Sequence, residues 1–93
     1  MRTALLKKCA EMFDVSPADI LSLRRGAQVL AARRAFYLAM RMRGWSYAAI
    51  GRFMDRDHTT IMTGVQHAVV HAEGIPEYAE QVRQLAEYRE TAA

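Results

Sequence analysis

Apolar residues recur at spacings of three and four along most of the chain, a pattern typical of helices that bury one face. A first helix of this kind is predicted after Thr3, a residue type that caps helices, and its apolar positions are Leu5, Leu6, Cys9, Met12 and Phe13. No stretch shows the two-residue alternation of a half-buried strand. The pattern therefore predicts an all-α fold, with the first helix interrupted at Asp14-Val15.

A compact start signal, Ser16-Pro17-Ala18-Asp19, predicts a short second helix. Serine accepts a hydrogen bond from the first turn, proline suits the first helical position, and the acid completes a capping box. The apolar positions of this helix are Ile20, Leu21 and Leu23. Gly26 is predicted to end it in the left-handed conformation, which leaves Arg24 and Arg25 at the helix exit, free to reach outward.

Residues 27–43 contain no helix breaker and predict the central, most buried helix of the chain. Its apolar residues cover much of the circumference, at Val29, Leu30, Phe36, Leu38, Met40 and Met42. Arg33, Arg34 and Arg41 are expected to point away from the core on one side. Gly44 is predicted to stop the helix.

Two further helices separated by a short turn are predicted next, and this is the arrangement of a helix-turn-helix. Ser46 caps the first of them, and its inward positions are Ala49, Ile50 and Phe53. Met54-Asp55-Arg56 forms the turn, and Asp57 is the cap of a helix that runs from His58 to about Ala72.

The helix that starts at His58 has two distinct faces. Its inward positions are Ile61, Val65, Ala68, Val69 and Ala72. Its outward positions are Thr60, Thr63 and His67. Gly64 costs this helix about 1 kcal/mol relative to alanine. A close approach, either to a neighbouring helix or to DNA, would explain the glycine.

A last helix is predicted over residues 77 to about 90, after Gly74 and Pro76. Its inward positions are Tyr78, Val82, Leu85 and Tyr88. The 93 residues are enough for one domain with a modest core. We therefore expect a single domain over residues 1–93, with about five to six helices and a helix-turn-helix among them.

Composition argues against several classes of function. No apolar run approaches the ~20 residues that span a bilayer, and nothing resembles a secretory signal. Cys9 is the only cysteine, so it is expected to be a small buried hydrophobe in a reducing cytoplasm. His67 and His71 have the spacing of metal ligands, but no third and fourth ligand accompanies them. We predict no metal, no cofactor and no enzyme activity, because no acid–base or nucleophile–base pair can be assembled.

Positive charge is concentrated in the middle of the chain, although the formal net charge is only +3. Residues 24–56 contain eight arginines against Asp55 alone, a local excess of seven, whereas residues 73–93 hold five glutamates against two arginines. Such a basic segment is typical of a surface that faces phosphates. The alternative is that several of these arginines merely solvate helix faces.

The first turn after Asp57 carries the chemistry of a recognition helix. His58, Thr59 and Thr60 lie where such a helix meets base edges in the major groove. A threonine offers a hydroxyl that donates or accepts and a methyl that contacts the thymine methyl. An ordinary polar helix start is the alternative interpretation of this stretch alone.

Three segments resemble the C-terminal DNA-binding domain of the bacterial replication initiator DnaA, a Trp-repressor-like helix-turn-helix fold. Arg56-Asp57-His58-Thr59-Thr60 reproduces the end of the family's Gly-Arg-Asp-His-Thr-Thr signature. Asp19-Ile20-Leu21-Ser22-Leu23-Arg24-Arg25 matches the loop before the family's long basic helix, and Ile50-Gly51 matches its first motif helix. The resemblance covers roughly residues 4–72. Met54-Asp55 departs from it, since the family has a small glycine pair there.

The resemblance implies a role for each matching residue. Arg25, beside Arg24, would enter the minor groove, and Arg33, beside Arg34, would lie near the DNA backbone. Arg56 would contact phosphate or base. The recognition helix would read bases in the major groove through Asp57, His58, Thr59 and Thr60, with Thr63 and His67 on the same outward face. The implied partner is double-stranded DNA. No nucleotide is expected, because no glycine-rich phosphate loop is present.

Sequence-specific binding of double-stranded DNA, at a site like that of the initiator, is thus the leading prediction. A protein-interaction adaptor that reuses the fold is the alternative. The sequence leaves open whether the chain is free-standing or part of an initiator, which DNA sequence it prefers, and whether it regulates or competes in replication or transcription. We expect no membrane association, a cytoplasmic and nucleoid-associated location, and a monomer in preference to an oligomer.

Overall fold

Six α-helices make up the computed structural model, which describes residues 2–89. Their bounds are α1 Arg2–Phe13, α2 Pro17–Leu21, α3 Ala27–Met42, α4 Tyr47–Met54, α5 His58–Gly74 and α6 Pro76–Glu87. No strand occurs within residues 2–89, and the predicted all-α fold is confirmed. None of the helices within residues 2–89 combines the length and the apolar composition that spanning a bilayer requires.

The helix α3 lies at the centre, in contact with each of the other five helices. Its fully buried side chains include Phe36 and Met40. The Cys9 thiol of α1 donates to the Ala32 carbonyl at 3.2 Å, and burial raises the pKa of this thiol to about 12. Cys9 is therefore a buried thiol held in its neutral form, as expected. Met42 differs from the prediction, because it lies at the end of α3 and is 56% exposed.

The helix starts follow the predicted caps with one exception. Ser16 and Asp19 form the capping box of α2, in which Asp19 N donates to Ser16 Oγ at 3.0 Å. The Ser46 hydroxyl accepts from Ala49 N at 3.0 Å and so caps α4. Thr3 is the exception, since α1 begins at Arg2 and Thr3 lies inside it.

The connection between α2 and α3 differs from the prediction. The α2 helix ends at Leu21, before Leu23, whose side chain is 84% exposed. Gly26 does not end α2 in the left-handed conformation: its φ is −57°, and it is the N-cap of α3. The left-handed residues after helices are instead Asp14, Asp55 and the correctly predicted terminator Gly44. Residues 22–26 thus form a loop that exposes Arg24 and Arg25.

The helices α4 and α5 form the helix-turn-helix. Asp55 ends α4 in the left-handed conformation, and Arg56 N donates to the Gly51 carbonyl at 2.8 Å. The turn approaches α4 so closely that a Cβ on Gly51 would lie 2.5 Å from the Arg56 carbonyl oxygen. The glycine therefore permits the short connection that places α5.

The inner face of α5 packs against α3, with Ile61, Val65 and Ala68 buried as predicted. Val69 was expected to face the core but is 39% exposed. A Cβ on Gly64 would lie 2.6 Å from the Tyr37 ring of α3, so the neighbouring helix accounts for this glycine.

The last helix, α6, closes the core with Tyr78, Val82 and Leu85, as predicted. Tyr78 Oη donates to the Ala31 carbonyl at 2.7 Å. The helix was predicted to run to about Glu90 but ends at Glu87, with the half-buried Tyr88 as its C-cap; Glu90 itself lies outside the described residues.

Candidate nucleic-acid interface

The first turn of α5 projects from the fold and is held by its cap. Asp57 Oδ1 accepts from the backbone N–H of Thr59 at 2.7 Å. This bond and a hydrogen bond from the Thr59 hydroxyl keep the pKa of Asp57 below its ordinary value, so the carboxylate stays ionised to a lower pH than that of a free aspartate. His58, Thr59 and Thr60 are exposed next to the cap. The predicted cap is confirmed, and the turn is accessible to a partner.

An open groove of about 350 Å³ runs between the start of α5, the middle of α3 and the loop after α2. Eight of the residues that line it were predicted DNA contacts: Arg25, Arg33, Arg34, Arg56, Thr59, Thr60, Thr63 and His67. The fold thus brings side chains from residues 23–37 together with side chains from residues 56–67. Arginine guanidinium groups and threonine hydroxyls on one concave surface suit a phosphate-bearing ligand.

The other predicted residues lie beside this groove. Asp57 and His58 line a neighbouring cleft with Arg52 and Asp55 from the end of α4, and Arg56 borders both. The His58 Nδ1 atom lies 3.6 Å from Asp57 Oδ1. Arg24 lies in neither cleft. Its guanidinium is 3.7 Å from the Asp19 carboxylate in an exposed ion pair, a class that contributes little to stability.

Arg33 does not point away from the core, and this expectation was wrong. Its side chain is only 6% exposed. The Nε atom donates to the Ile20 carbonyl at 2.8 Å, and Nη2 donates to the carbonyls of Asp19 and Ser22 at 2.9 and 2.8 Å. The last carbonyls of a helix lack hydrogen-bond donors within the helix, and the Arg33 guanidinium provides those donors at the end of α2. Arg33 is therefore a structural residue of the α2–α3 packing.

Arg56 is also hydrogen-bonded inside the protein. Its Nη1 atom donates to the Met54 carbonyl at 2.8 Å, and its Nη2 atom donates to the Ser22 carbonyl. The side chain is half-buried at the rim of the groove. Arg56 thus joins the turn of the helix-turn-helix to the loop that carries Arg25.

Two more arginines of the basic segment serve the fold. Arg41 donates to the Trp45 carbonyl at 2.9 Å and stacks over the Tyr47 ring. Arg43 donates to two carbonyls at the end of α6. Arg41 was expected to point away from the core, but its guanidinium folds over the connection to α4.

Arg25, Arg34 and Arg52 form no hydrogen bond or ion pair within residues 2–89. Arg25 and Arg34 line the groove, whereas Arg52 lines the neighbouring cleft. The excess of seven charges in residues 24–56 therefore overstates the number of cations that a ligand can meet.

Tyr37 is a residue of the groove that the sequence did not reveal. It is 3% exposed, lies beneath Gly64, and its hydroxyl has no hydrogen-bond partner among the described residues. Burial raises its pKa, while the nearby Arg56, Arg33 and Arg34 oppose that rise. An aromatic residue in an apolar helix predicts only burial, so its place in this lining follows from the tertiary fold.

The two histidines with metal-ligand spacing have different surroundings. His67 is exposed at the groove, and the His71 ring stacks on Tyr78 with a centroid distance of 4.0 Å. No group of three or more potential ligands that could hold a metal ion occurs in residues 2–89.

Comparisons with known proteins agree with this architecture. A sequence profile of the family described as bacterial DnaA protein helix-turn-helix matches residues 3–68. The chain is 42% identical over 73 residues to the chromosomal replication initiator protein DnaA of Xanthobacter autotrophicus, an alignment that covers 76% of this chain and 14% of that protein. It is 44% identical over 68 residues to the protein of the same description from Rhodopseudomonas palustris, covering 71% of this chain and 14% of the relative. The chain thus spans about 14% of the length of these relatives.

Proposed function

Because the chain belongs to the family of bacterial DnaA helix-turn-helix DNA-binding domains, we propose that it binds double-stranded DNA in a sequence-specific manner. In this proposal α5 enters the major groove while Arg25 enters the adjacent minor groove. The observation that carries the proposal is the single groove that joins the exposed first turn of α5 to the loop of Arg25.

Base readout is assigned to the outward face at the start of α5. Thr59 and Thr60 each present a hydroxyl and a methyl, which suit hydrogen bonding to base edges and contact with the thymine methyl. Asp57 uses Oδ1 for its cap, and its other carboxylate oxygen can accept from cytosine N4. His58, Thr63 and His67 extend the same exposed surface.

Contacts to the minor groove and to phosphates are assigned to the exposed and half-buried arginines beside α5. Arg25, exposed on the loop after α2, is placed in the minor groove, where narrow A·T-rich segments attract arginine. Arg24 and Arg34 are placed on phosphates of the adjoining DNA backbone. Arg33 is left out of the contact set, since its guanidinium already bonds three carbonyls.

A salt titration tests the electrostatic part of the proposal. Each phosphate contact adds roughly 0.9 to the slope of log affinity against log salt concentration. The three arginines assigned above therefore predict a slope of roughly −3, against roughly −7 if all eight arginines of the basic segment took part. An affinity for duplex DNA that hardly changes with salt would contradict the proposal.

Replacing Thr60 by alanine tests the base readout. Alanine is the better helix former, so the fold should hold while discrimination falls by about 1–3 kcal/mol at one base pair. The preferred site is first identified by selection from random duplexes. The affinities of both proteins for single-base variants of that site then measure the loss of discrimination. Thr3→Ala is the matched control, because Thr3 is an exposed helical threonine on α1. A Thr60→Ala domain that keeps the wild-type preference at every position would refute this assignment.

A domain with such specificity would compete with the full-length initiators for shared sites, and this is our proposal for its regulatory effect. This competition can be measured by adding increasing amounts of the protein to a complex of an initiator with a selected duplex and following the release of the initiator.

A protein-interaction adaptor is the second candidate, and one observation favours it. Val70 and Ile75, at the far end of α5, are 67% and 46% exposed. An adaptor would use exposed apolar side chains such as these to contact its partner and would bind DNA with little salt dependence. The salt titration therefore separates the two functions.

A further inference from the structure

Two arginines from different parts of the fold meet at one backbone carbonyl, that of Ser22. Arg33 Nη2, from α3, donates to this oxygen at 2.8 Å. Arg56 Nη2, from the turn before α5, donates to the same oxygen. A carbonyl oxygen has two lone pairs and can accept both bonds. Ser22 is the C-cap of α2 and stands three residues before Arg25.

Each guanidinium is anchored at a second point, so the shared carbonyl is held from two sides. Arg33 is 6% exposed and bonds two further carbonyls at the end of α2. Arg56 bonds the Met54 carbonyl at the end of α4. A guanidinium is planar, and its donors form a fixed fork, which makes such bonds directional.

The Arg56 bond joins segments that are 34 residues apart in sequence. The α2 helix packs on α1 and α3, whereas α5 packs on α3, α4 and α6. The bond to Ser22 is thus a direct connection between the loop of Arg25 and the start of the recognition helix.

We propose that Arg33 and Arg56 are positioning residues, which fix Arg25 relative to α5 through the Ser22 carbonyl. This inference rests on the proposed function and goes beyond it, because it couples the readout of flanking sequence in the minor groove to base readout in the major groove. A loop that is ordered before binding loses less conformational entropy when it binds. The arginine signature residue of the turn then acts on specificity through Arg25 rather than by touching DNA.

A double-mutant cycle tests the coupling. Affinities of wild type, Arg56→Met, Arg25→Ala and the double variant are measured on two duplexes that share the core site and carry A·T-rich or G·C-rich flanks. Arg56→Met should lose about ten-fold in affinity on the A·T-rich duplex, on the order of 1.4 kcal/mol, and little in the Arg25→Ala background. A direct phosphate contact predicts the opposite, an equal loss in both backgrounds with a salt slope lowered by roughly 0.9, and would overturn the proposal.

Two further variants exclude simpler explanations. Arg56→Lys keeps the charge but not the fork, so it should lose the flank preference as Arg56→Met does; wild-type preference in this variant would contradict positioning. Arg52→Met is the matched control, because Arg52 is an exposed arginine of the same helix-turn-helix without such bonds. It should keep the flank preference.

The outcomes also separate this inference from the proposed function. Salt-dependent binding with a flank effect of Arg25→Ala, but additive losses in the cycle, would refute positioning alone. Absence of a flank effect in Arg25→Ala would refute the minor-groove assignment and positioning with it. Arg33→Lys removes the other hydrogen bond to the Ser22 carbonyl and should also lose the flank preference. Thermal melting first verifies that this variant is folded.

Discussion

Gly51 is the tightest point in the helix-turn-helix, and its replacement by alanine gives a quantitative test of the fold. A Cβ at this position would lie 2.5 Å from the Arg56 carbonyl oxygen, where ordinary contacts begin at 3.4 Å. The clash is with backbone, which cannot rotate away as the end of a side chain does. The Arg56 peptide is further fixed between the left-handed Asp55 and the cap residue Asp57.

Two opposing terms set the expected change in stability of Gly51→Ala. Alanine favours the helix by about 1 kcal/mol relative to glycine. Overpacking a rigid site typically costs about 1–3 kcal/mol, and a clash with backbone belongs near the upper end. We therefore expect a net loss of about 1–2 kcal/mol in the free energy of unfolding, or roughly 4–16 °C in Tm for a chain of this size.

Thermal and urea unfolding of Gly51→Ala measure this loss. Gly74→Ala is the matched control, because Gly74 is also helical and a Cβ there would meet nothing within 4 Å. The control should unfold at or above the wild-type temperature. If Gly51→Ala is as stable as the control, the reasoning is refuted, because the Arg56 carbonyl would then move away from the added Cβ without a loss of stability.

Two other changes test single groups near the proposed interface. Tyr37→Phe removes a buried hydroxyl without a partner among residues 2–89 and should raise the free energy of unfolding by about 1–3 kcal/mol in urea titrations; a loss would show that the hydroxyl is hydrogen-bonded. The lowered pKa of Asp57 means that its stabilisation is present above the ordinary carboxyl pKa and disappears as the pH falls through the lower folded value. Asp57→Asn keeps a good cap, so its Tm should fall less than that of the wild type between pH 5 and pH 2, and parallel curves would contradict this account.

The helix starts could be predicted from sequence because their causes are local. Ser16, Ser46 and Asp57 accept from backbone donors only two or three residues away, so a short sequence contains the whole interaction. Gly44 was identified for the same reason, since its φ of +97° suits a residue without a side chain. Gly26 was misassigned, because a glycine after a helix ends it or begins the next with equal local justification.

The groove could be predicted only in part. Thr60, Thr63 and His67 lie on one face of α5 because they are spaced three and four residues apart, so their proximity could be predicted from spacing alone. Tyr37 lines the groove only because α3 packs on α5, at a close contact that the missing side chain of Gly64 allows. No local pattern records such a contact between residues 27 positions apart.

The arginines show why a count of charges misjudges an interface. Arginine carries five donors on a long stem, so one side chain can satisfy carbonyls at helix ends that have no other partner. Arg33 and Arg43 do this at the ends of α2 and α6. The sequence cannot distinguish this use from a phosphate contact, because both need the same residue on the same basic helix. The distinction lies in the distant carbonyl that each guanidinium reaches, and at Ser22 that distant group belongs to the very loop that presents Arg25.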